Sequence, residues 1–281
     1  FQTNIIINLN PKVIYGTISD KSKFNLFQAY KKSNQIIASF FDGFTYNPLM
    51  GQNFLHTDIA FVTNNYHRDS INIYGGHIKK IIISGYDKYH INKNFFNGIS
   101  TKIKYNLKKY NKSVLILSSN INEYDSVESL LEFFSKTFKF IEDNPDIYFV
   151  LKEKKGELKN IDNFINKKNY LNLDIVYSKG KELDPLKNTF EELIINFDLC
   201  LVFALNSTTI FYSLHKKVPV FIFNKISYSC WDKSQIKLTN ENFEKKILGL
   251  LNGSHNYDFK ILYDEFNLSD DGTYKALSYL L

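Results

Sequence analysis

The chain has 281 residues, and its 44% of hydrophobic residues excludes an intrinsically disordered protein. The net charge is +6, but the lysines are spread along the sequence, so we expect a solvated basic surface and no dedicated nucleic-acid-binding function. No apolar run approaches the roughly 18 residues of a membrane span. The two cysteines form neither a disulfide framework nor a Cys-x-x-Cys zinc motif, which favours the reducing cytoplasm and no metal.

The first third of the chain alternates short apolar strands with amphipathic helices. We predict strands over residues 5–9, 13–15, 35–41, 58–63 and 80–84, and helices over residues 22–32 and 65–74. This alternation favours a parallel sheet that is covered on both faces.

A polar, lysine-rich stretch from residue 88 to 112 follows, and we predict a linker there with one helix around residues 99–110. The rest of the chain repeats the alternation more clearly. We predict strands over residues 113–117, 147–151, 174–177, 198–204 and 218–223. The apolar run around Cys200 predicts a buried thiol.

At two predicted helix starts the spacing matches a capping box. In this motif each of two residues, three positions apart, accepts a hydrogen bond with its side chain from the backbone N–H of the other. One is Asp125-x-x-Glu128, which precedes apolar residues at helical spacing from 127 to 141. The other is Thr189-x-x-Glu192, which precedes a short helix. Both support helices between consecutive parallel strands.

The strongest functional signal is the segment 198–209, in which a buried strand leads through Asn206, Ser207, Thr208 and Thr209 into a helix. The first N–H groups of a helix are unpaired and carry a partial positive charge, so this turn suits a phosphate. The alternative is that Ser207 or Thr208 only caps the helix.

Other candidate ligand residues follow other strands, because ligands of open parallel sheets bind beyond the carboxyl ends of the strands. Lys152 and Lys154 are candidates to neutralise a phosphate, although a solvated charge run is the alternative. Polar residues of two further loops are expected to face the same ligand: Ser118, Ser119, Asn120 and Ser178.

The order of several short motifs resembles the GT-B glycosyltransferases, most closely the bacterial sialyl-, Kdo- and glycerol-phosphate-transferase types. "DLCLVFALNSTT" followed by "KKVPVFIF" resembles the donor-side turn that holds the donor phosphate in that group. "ASFFDGF", "KKIIISGYDK", "NPDIYFVLKEKKG" and "SDDGTYKAL" resemble further segments in the expected order. The resemblance covers residues from about 12 to 281.

The resemblance implies an α/β fold with two Rossmann-like parallel-sheet lobes. It implies an acceptor-side lobe over residues 1–87, a linker over 88–112, a donor lobe over 113–265 and a terminal helix, 266–281, that crosses back. Residues 1–87 are fewer than such a lobe usually has, and the chain does not begin with Met. We therefore expect the first lobe to be incomplete in this sequence.

The resemblance also implies a metal-independent glycosyltransferase that uses a nucleotide-sugar donor, CMP- or CDP-linked, and no cofactor. The expected acceptor is a glycan or a lipid-linked glycan, and the expected location is cytoplasmic, peripheral to the inner face of the membrane. Two departures keep alternatives open: the family's His-Pro pair is absent and Lys152-Glu153-Lys154-Lys155 stands there instead, and Tyr212 stands where many relatives have a ribose-binding Glu. The alternatives are a glycerol- or polyol-phosphate transferase on the same scaffold and a non-catalytic binding module.

A transferase of this type needs a base for the acceptor hydroxyl. Asp42 follows a predicted strand and precedes Gly43, where a turn can present its carboxylate. The alternative is an Asp that only forms the turn by bonding its own backbone. His56, His67 and His77 are the next candidates.

Overall fold

The chain forms two compact units, each built around one parallel sheet. The computed structural model describes residues 12–17, 27–29, 31–40, 56–65, 68–69, 71, 77–85, 98–117, 127–153, 169–177, 189–203, 208–223, 242–255, 257–268 and 272–280. The first unit consists of Phe1–Ile91 and Lys260–Leu281, and the second of Asn92–Phe259.

The sheet of the first unit has four described strands in the order β1-β2-β3-β4, all parallel. They are β1 (Val13–Thr17), β2 (Ile36–Phe40), β3 (His56–Val62) and β4 (His77–Ile83). The strands predicted near 13–15, 35–41, 58–63 and 80–84 are thus confirmed, with ends shifted by a few residues. The strand predicted at 5–9 and much of the two predicted helices lie outside the described residues.

Both faces of this sheet are covered, which is why β2 and β3 are almost wholly apolar. One face packs Ile14, Ile37, Ala60, Val62 and Ile71 into a core. The other face is covered by the last helix, whose Ala276 packs against Phe40 and Phe61. The last two described helices are α6 (Phe259–Phe266) and α7 (Gly272–Leu280).

A buried carboxylate ties the amino ends of β2 and β3 together. Asp58 is 9% exposed and accepts a hydrogen bond from the Ile37 backbone N–H at 2.9 Å. It pairs with Lys31 at 2.5 Å and with Lys79 at 2.8 Å. Burial by itself raises the pKa of Asp58, but the hydrogen bonds from Lys31, Lys79 and Ile37 together bring it below its ordinary value. The carboxylate is therefore ionised and structural.

The second unit has a five-stranded parallel sheet in the order β7-β6-β5-β8-β9. The strands are β5 (Lys112–Leu117), β6 (Ile147–Lys152), β7 (Leu173–Val176), β8 (Leu199–Val202) and β9 (Val220–Ile222). Each coincides with one of the five predicted strands to within two residues at either end. The predicted α/β class with two parallel-sheet lobes is confirmed.

Helices of the second unit cover this sheet through aromatic side chains. The helices are α1 (Thr101–Lys109), α2 (Val127–Asp143), α3 (Phe190–Ile194), α4 (Thr208–His215) and α5 (Phe243–Leu251). Phe133 of α2 is fully buried, with its ring centroid 5.4 Å from Phe203 and 5.3 Å from Phe223. The capping box of Thr189 and Glu192 is confirmed at the start of α3, whereas Asp125 lies outside the described residues.

The stretch expected to be a linker contains α1, which packs on the second unit. Asn106 donates to Asp174 at 2.9 Å, and Tyr148 donates to the same carboxylate oxygen at 2.7 Å. Tyr110 stacks on Tyr148 with ring centroids 5.6 Å apart. The described part of this stretch, residues 98–112, therefore belongs to the second unit, which begins at Asn92. In none of the described segments does a helix have both the length and the apolar character needed to cross a membrane.

Candidate functional site

The strand order of the second sheet contains one reversal, between β5 and β8. Strands β5, β6 and β7 are added outward in one direction, whereas β8 and β9 are added on the other side of β5. The connections that leave neighbouring strands at such a point diverge to opposite faces and open a crevice at the carboxyl ends. The residues following Leu117 and Val202 are therefore the first place to look for a ligand site.

The register places the carboxyl ends of all five strands in one row across the sheet. Leu117 pairs with Lys152 on one side and with Val202 on the other. Lys152 pairs in turn with Val176, and Val202 with Ile222. We call these five residues the strand-end row. Lys152 contributes a half-buried basic side chain to this row, two positions from Val202.

The amino ends of β5 and β8 are joined by a side chain as well as by backbone. Asp198 accepts from the Ser113 backbone N–H at 2.8 Å and from the Ser113 hydroxyl at 3.0 Å. The Asp198 N–H donates to the Ser113 carbonyl at 3.1 Å. These bonds fix the two strands at the reversal, so their carboxyl ends are held in register as well.

Helix α4 is the element that follows strand β8 in the chain. All four residues of β8 are fully buried, as predicted for an interior strand. Helix α4 begins at Thr208, and its buried residues Ile210, Phe211 and Leu214 hold it against the rest of the unit. Its first N–H groups have no partner within the helix and carry the positive end of the helix dipole. An anion placed there would be stabilised.

The predicted donor-binding residues are only partly within the described structure. Lys152 lies in the strand-end row, and Thr209 is half-buried in the first turn of α4. The side chain of Thr208 and all of the following lie outside the described residues: Ser118, Ser119, Asn120, Lys154, Ser178, Asn206 and Ser207. Their roles stay predictions. By sequence they follow β5, β6, β7 and β8 directly, which are the strands of the row.

An aromatic pair lies beside the start of α4. Tyr212, one turn into the helix, is 8% exposed, and its ring lies edge-on to Phe190 at 5.7 Å. The Lys216 ammonium also lies over the Tyr212 ring, 5.4 Å from its centroid. Tyr212 is thus a packed residue that joins α4 to the first residue of α3. In the sequence, Tyr212 stood out only as a departure from the family pattern, and its packing role could not be predicted.

Candidate bases of the first unit fall into two groups. Asp42 lies outside the described residues, two positions beyond the carboxyl end of β2. His56 and His77 open β3 and β4, so they lie at the amino edge of the sheet, with their rings stacked 4.5 Å apart. Because ligands of parallel sheets bind at the opposite edge, these two histidines are disfavoured as the base. His67 is outside the described residues.

Neither a nucleophilic thiol nor a metal centre is present in the described part of the chain. Cys200 is fully buried in β8, and burial raises the pKa of its thiol to about 12, although a hydrogen bond with Ser213 lowers it slightly. The thiol is therefore neutral and inert. No group of three His, Cys, Asp or Glu side chains within these residues could hold a metal ion.

Comparisons with known proteins identify the fold. No protein-family model and no curated protein matches the sequence. Among solved structures, a candidate UDP-N-acetylglucosamine 2-epimerase of Listeria monocytogenes superposes with a TM-score of 0.69 and 13% identity, covering 99% of this chain and 76% of that one. The UDP-GlcNAc 2-epimerase of Methanocaldococcus jannaschii, in complex with UDP-GlcNAc and UDP, gives 0.64 and 13%, covering 99% and 78%.

The third comparison is with a transferase. The glycosyltransferase of kitacinnamycin superposes with a TM-score of 0.62 and 9% identity, covering 100% of this chain and 79% of that one. At these identities the likeness concerns the fold. With two all-parallel α/β lobes and these neighbours, the chain has the GT-B fold.

Proposed function

We propose that this chain is a glycosyltransferase that moves a sugar from a nucleotide-activated donor to a glycan or lipid-linked acceptor. The observation that carries the proposal is the reversal between β5 and β8, where the strand-end row, Lys152 and the start of α4 occur together. A donor phosphate needs this combination of unpaired N–H groups and a nearby cation.

In the proposed reaction, the acceptor oxygen attacks the anomeric carbon of the donor sugar as the bond from that carbon to the phosphate oxygen breaks. The hydroxyl proton passes to the Asp42 carboxylate. Negative charge grows on the departing phosphate, and the N–H groups at the start of α4 and the Lys152 ammonium stabilise it. Thr208 and Thr209, with Asn206 and Ser207, would add hydrogen bonds from their side chains.

The identity of the donor nucleotide is the first property to test. The sequence resemblance favours a CMP- or CDP-linked donor, whereas the Methanocaldococcus jannaschii neighbour holds UDP and UDP-GlcNAc. We therefore test CMP, CDP, UDP and GDP by thermal shift on the full chain. A ligand at a hundred times its dissociation constant stabilises the folded state by about 2.7 kcal/mol. One nucleotide is expected to raise the melting temperature clearly, and no shift with any of the four would contradict the proposal.

A second candidate function is the epimerisation of a nucleotide sugar at C2. The observation that favours it is that two superposed neighbours with TM-scores of 0.69 and 0.64 carry that activity in their names. An epimerase converts UDP-GlcNAc into an isomer of the same mass and releases no UDP, whereas a transferase releases the nucleotide only when an acceptor is present. Proton NMR of the nucleotide sugar, which distinguishes epimers of equal mass, and nucleotide release, both measured on one reaction mixture, separate the two activities.

Two further candidate functions follow from the two departures from the family pattern, the missing His-Pro pair at residues 152–155 and Tyr212. A glycerol- or polyol-phosphate transferase would release CMP from a CDP-linked donor, because one phosphorus atom stays with the product. A non-catalytic binding module would bind a nucleotide without turning over any acceptor. Phosphorus NMR of the products identifies the first, and binding without release of any product identifies the second.

A further inference from the structure

Helix α1 carries an unusually uniform charge. Five lysines occur between residues 101 and 112, at 102, 104, 108, 109 and 112, with no acidic residue among them. The helix has no acidic residue in its first turn and ends on Lys108 and Lys109. Nothing within this segment neutralises its charge, so the helix presents a concentrated positive potential to any neighbouring surface.

The lysines of α1 share one side of the helix. At about 100° per residue, Lys104, Lys108, Lys109 and Lys102 fall within an arc of roughly 160°, and Tyr105 falls at its middle. All five side chains are exposed, whereas Ile103, on the opposite side, is buried against the second unit. We call these five exposed residues the basic face of α1.

Only some of the positive charges of this face interact with other described residues. Lys102 pairs with Asp174 of β7, and Lys109 lies over the ring of Tyr110 at 5.1 Å. Lys104 and Lys108 make no ion pair with any residue that the structure describes. The face thus retains net positive charge after its internal contacts are satisfied.

Apolar groups accompany the charge. Tyr105 is 67% exposed in the centre of the basic face. Leu171 is 87% exposed, and its carbonyl accepts a hydrogen bond from Tyr110 at the end of α1 at 3.4 Å. The tyrosine lies among the lysines of the face and the leucine lies near the end of the helix, so exposed apolar groups accompany the positive charge.

We propose that the basic face of α1 binds an anionic lipid surface. Lysines attract the negative headgroups over a distance of about one Debye length, and each contributes about fivefold to binding near such a surface. Tyrosine favours the boundary between headgroups and acyl chains because its ring is apolar and its hydroxyl polar. Leu171 would enter the same boundary from the edge of the face.

Nucleic acid is the competing anion, and two features favour lipid over it. The face contains lysine, a point charge that suits a diffuse layer of headgroups, and no arginine, whose planar fork suits bidentate phosphate contacts. The most exposed apolar side chain near it is leucine, which gains nothing from stacking on a base but gains from burial in acyl chains.

The test uses the full chain and co-sedimentation with vesicles of phosphatidylcholine alone or with 30% phosphatidylglycerol. The wild type is expected to bind only the anionic vesicles, and less tightly as salt is raised. The variant K104Q/K108Q/K109Q is expected to bind them on the order of a hundredfold more weakly, since it removes three lysines. Lys102 is left in place because it holds Asp174.

A matched control removes the same charge elsewhere on the second unit. K216Q/K217Q/K245Q changes three exposed lysines outside α1 and is expected to lower vesicle binding by no more than a few-fold. Circular dichroism should show all variants folded, because every substituted lysine is solvent-exposed. Equal losses in the two variants, or equal binding to both kinds of vesicle, would overturn the proposal. If the chain binds a labelled single-stranded RNA more tightly than it binds vesicles, and if K104Q/K108Q/K109Q weakens that RNA binding, the face would be assigned to nucleic acid instead.

Discussion

The two sheets of this protein are both parallel, but their strands are ordered differently. In the first unit the described strands follow the chain, β1-β2-β3-β4, and the charged cluster of Asp58, Lys31 and Lys79 lies towards the amino ends. In the second unit the order reverses between β5 and β8, and Lys152 lies at the carboxyl ends. The charged cluster of the first unit joins neighbouring strands, whereas a reversal of strand order is the place at which an open parallel sheet binds ligands.

The difference shows that strand order, more than strand composition, decides where a ligand can bind. Both sheets have buried apolar strands at their centres, so the composition of those strands does not distinguish them. Among the described strands, only those of the second sheet show a reversal of order. The proposed function has the donor bound by the second unit and Asp42 as the base, and the following changes test these two proposals separately.

The largest effect is expected from Asp42→Asn, which removes the proposed base of the first unit. General acid–base groups contribute about 10²–10⁴-fold to the rate, so turnover should fall by that factor. Nucleotide affinity, measured by calorimetry, should stay within about twofold because the donor is held by the other unit. A rate loss below about tenfold would assign Asp42 to its turn and leave the base unidentified.

The next effect concerns the start of α4. Changing Ser207 and Thr208 together to Ala removes two hydroxyls but keeps the backbone donors, so nucleotide binding should weaken by about ten- to a hundredfold, at roughly 1.5–3 kcal/mol per charge-assisted bond. Loss of a helix cap should lower the free energy of unfolding by about 1 kcal/mol. Thr189→Ala is the matched control, because it removes the cap of α3 in the same unit. Unchanged nucleotide affinity in the double variant would leave these residues as a cap only.

A smaller effect is expected at the amino edge of the first sheet. Asp58→Asn leaves Lys31 and Lys79 without their carboxylate and should lower the free energy of unfolding by about 2 kcal/mol at pH 7. Since the pKa of Asp58 is lowered by folding, the stabilisation is full above about pH 4, the unfolded value, and is lost as pH falls through the lower folded pKa.

Urea unfolding at pH 7 and pH 3 measures this dependence. The gap between wild type and Asp58→Asn should narrow at pH 3. Asp69→Asn is the control, because Asp69 is 54% exposed beside Arg68 and its pair contributes little. A gap that does not change with pH would show that the Asp58 carboxylate is not the source of the stabilisation.

The smallest effect is expected from Tyr148→Phe in the second unit. The substitution removes one hydrogen bond to Asp174 but keeps the stacking on Tyr110 and the bond from Asn106. The free energy of unfolding should fall by about 1 kcal/mol. Nucleotide affinity should be unchanged, since this network belongs to α1 and the amino ends of β6 and β7. A loss of affinity would show that the two edges of the sheet are coupled.

Much of the fold could be predicted because it is encoded locally. Strands β5, β6, β8 and β9 consist mainly of continuous apolar runs, and Thr189 with Glu192 forms a capping box that its spacing predicts. Strand β4 was harder to place, since Lys79 and Lys80 are exposed on it and blur the apolar pattern. Its predicted start was three residues late for that reason.

Contacts between distant residues could not be predicted. Helix α1 resembles a solvated linker in sequence, because it buries only Ile103 and is held by polar contacts to residues far along the chain. Asn106 and Asp174 are 68 positions apart, and the Gly98 N–H donates to Glu192, 94 positions away, at 2.6 Å. The reversal at β5 and β8 is likewise a matter of pairing between strands, so the sequence predicted both strands but not that they are neighbours in the sheet.

The first unit is assembled from both ends of the described chain, and this affects how the protein folds during synthesis. Helix α7 covers Phe40 and Phe61, yet it is made after all of Asn92–Phe259. At about 5–20 residues per second, the ribosome needs on the order of 10–40 seconds between the two halves of this core. Throughout that interval Phe40 and Phe61 lack the packing that Ala276 gives them, so a chaperone can bind these apolar side chains before the chain is complete.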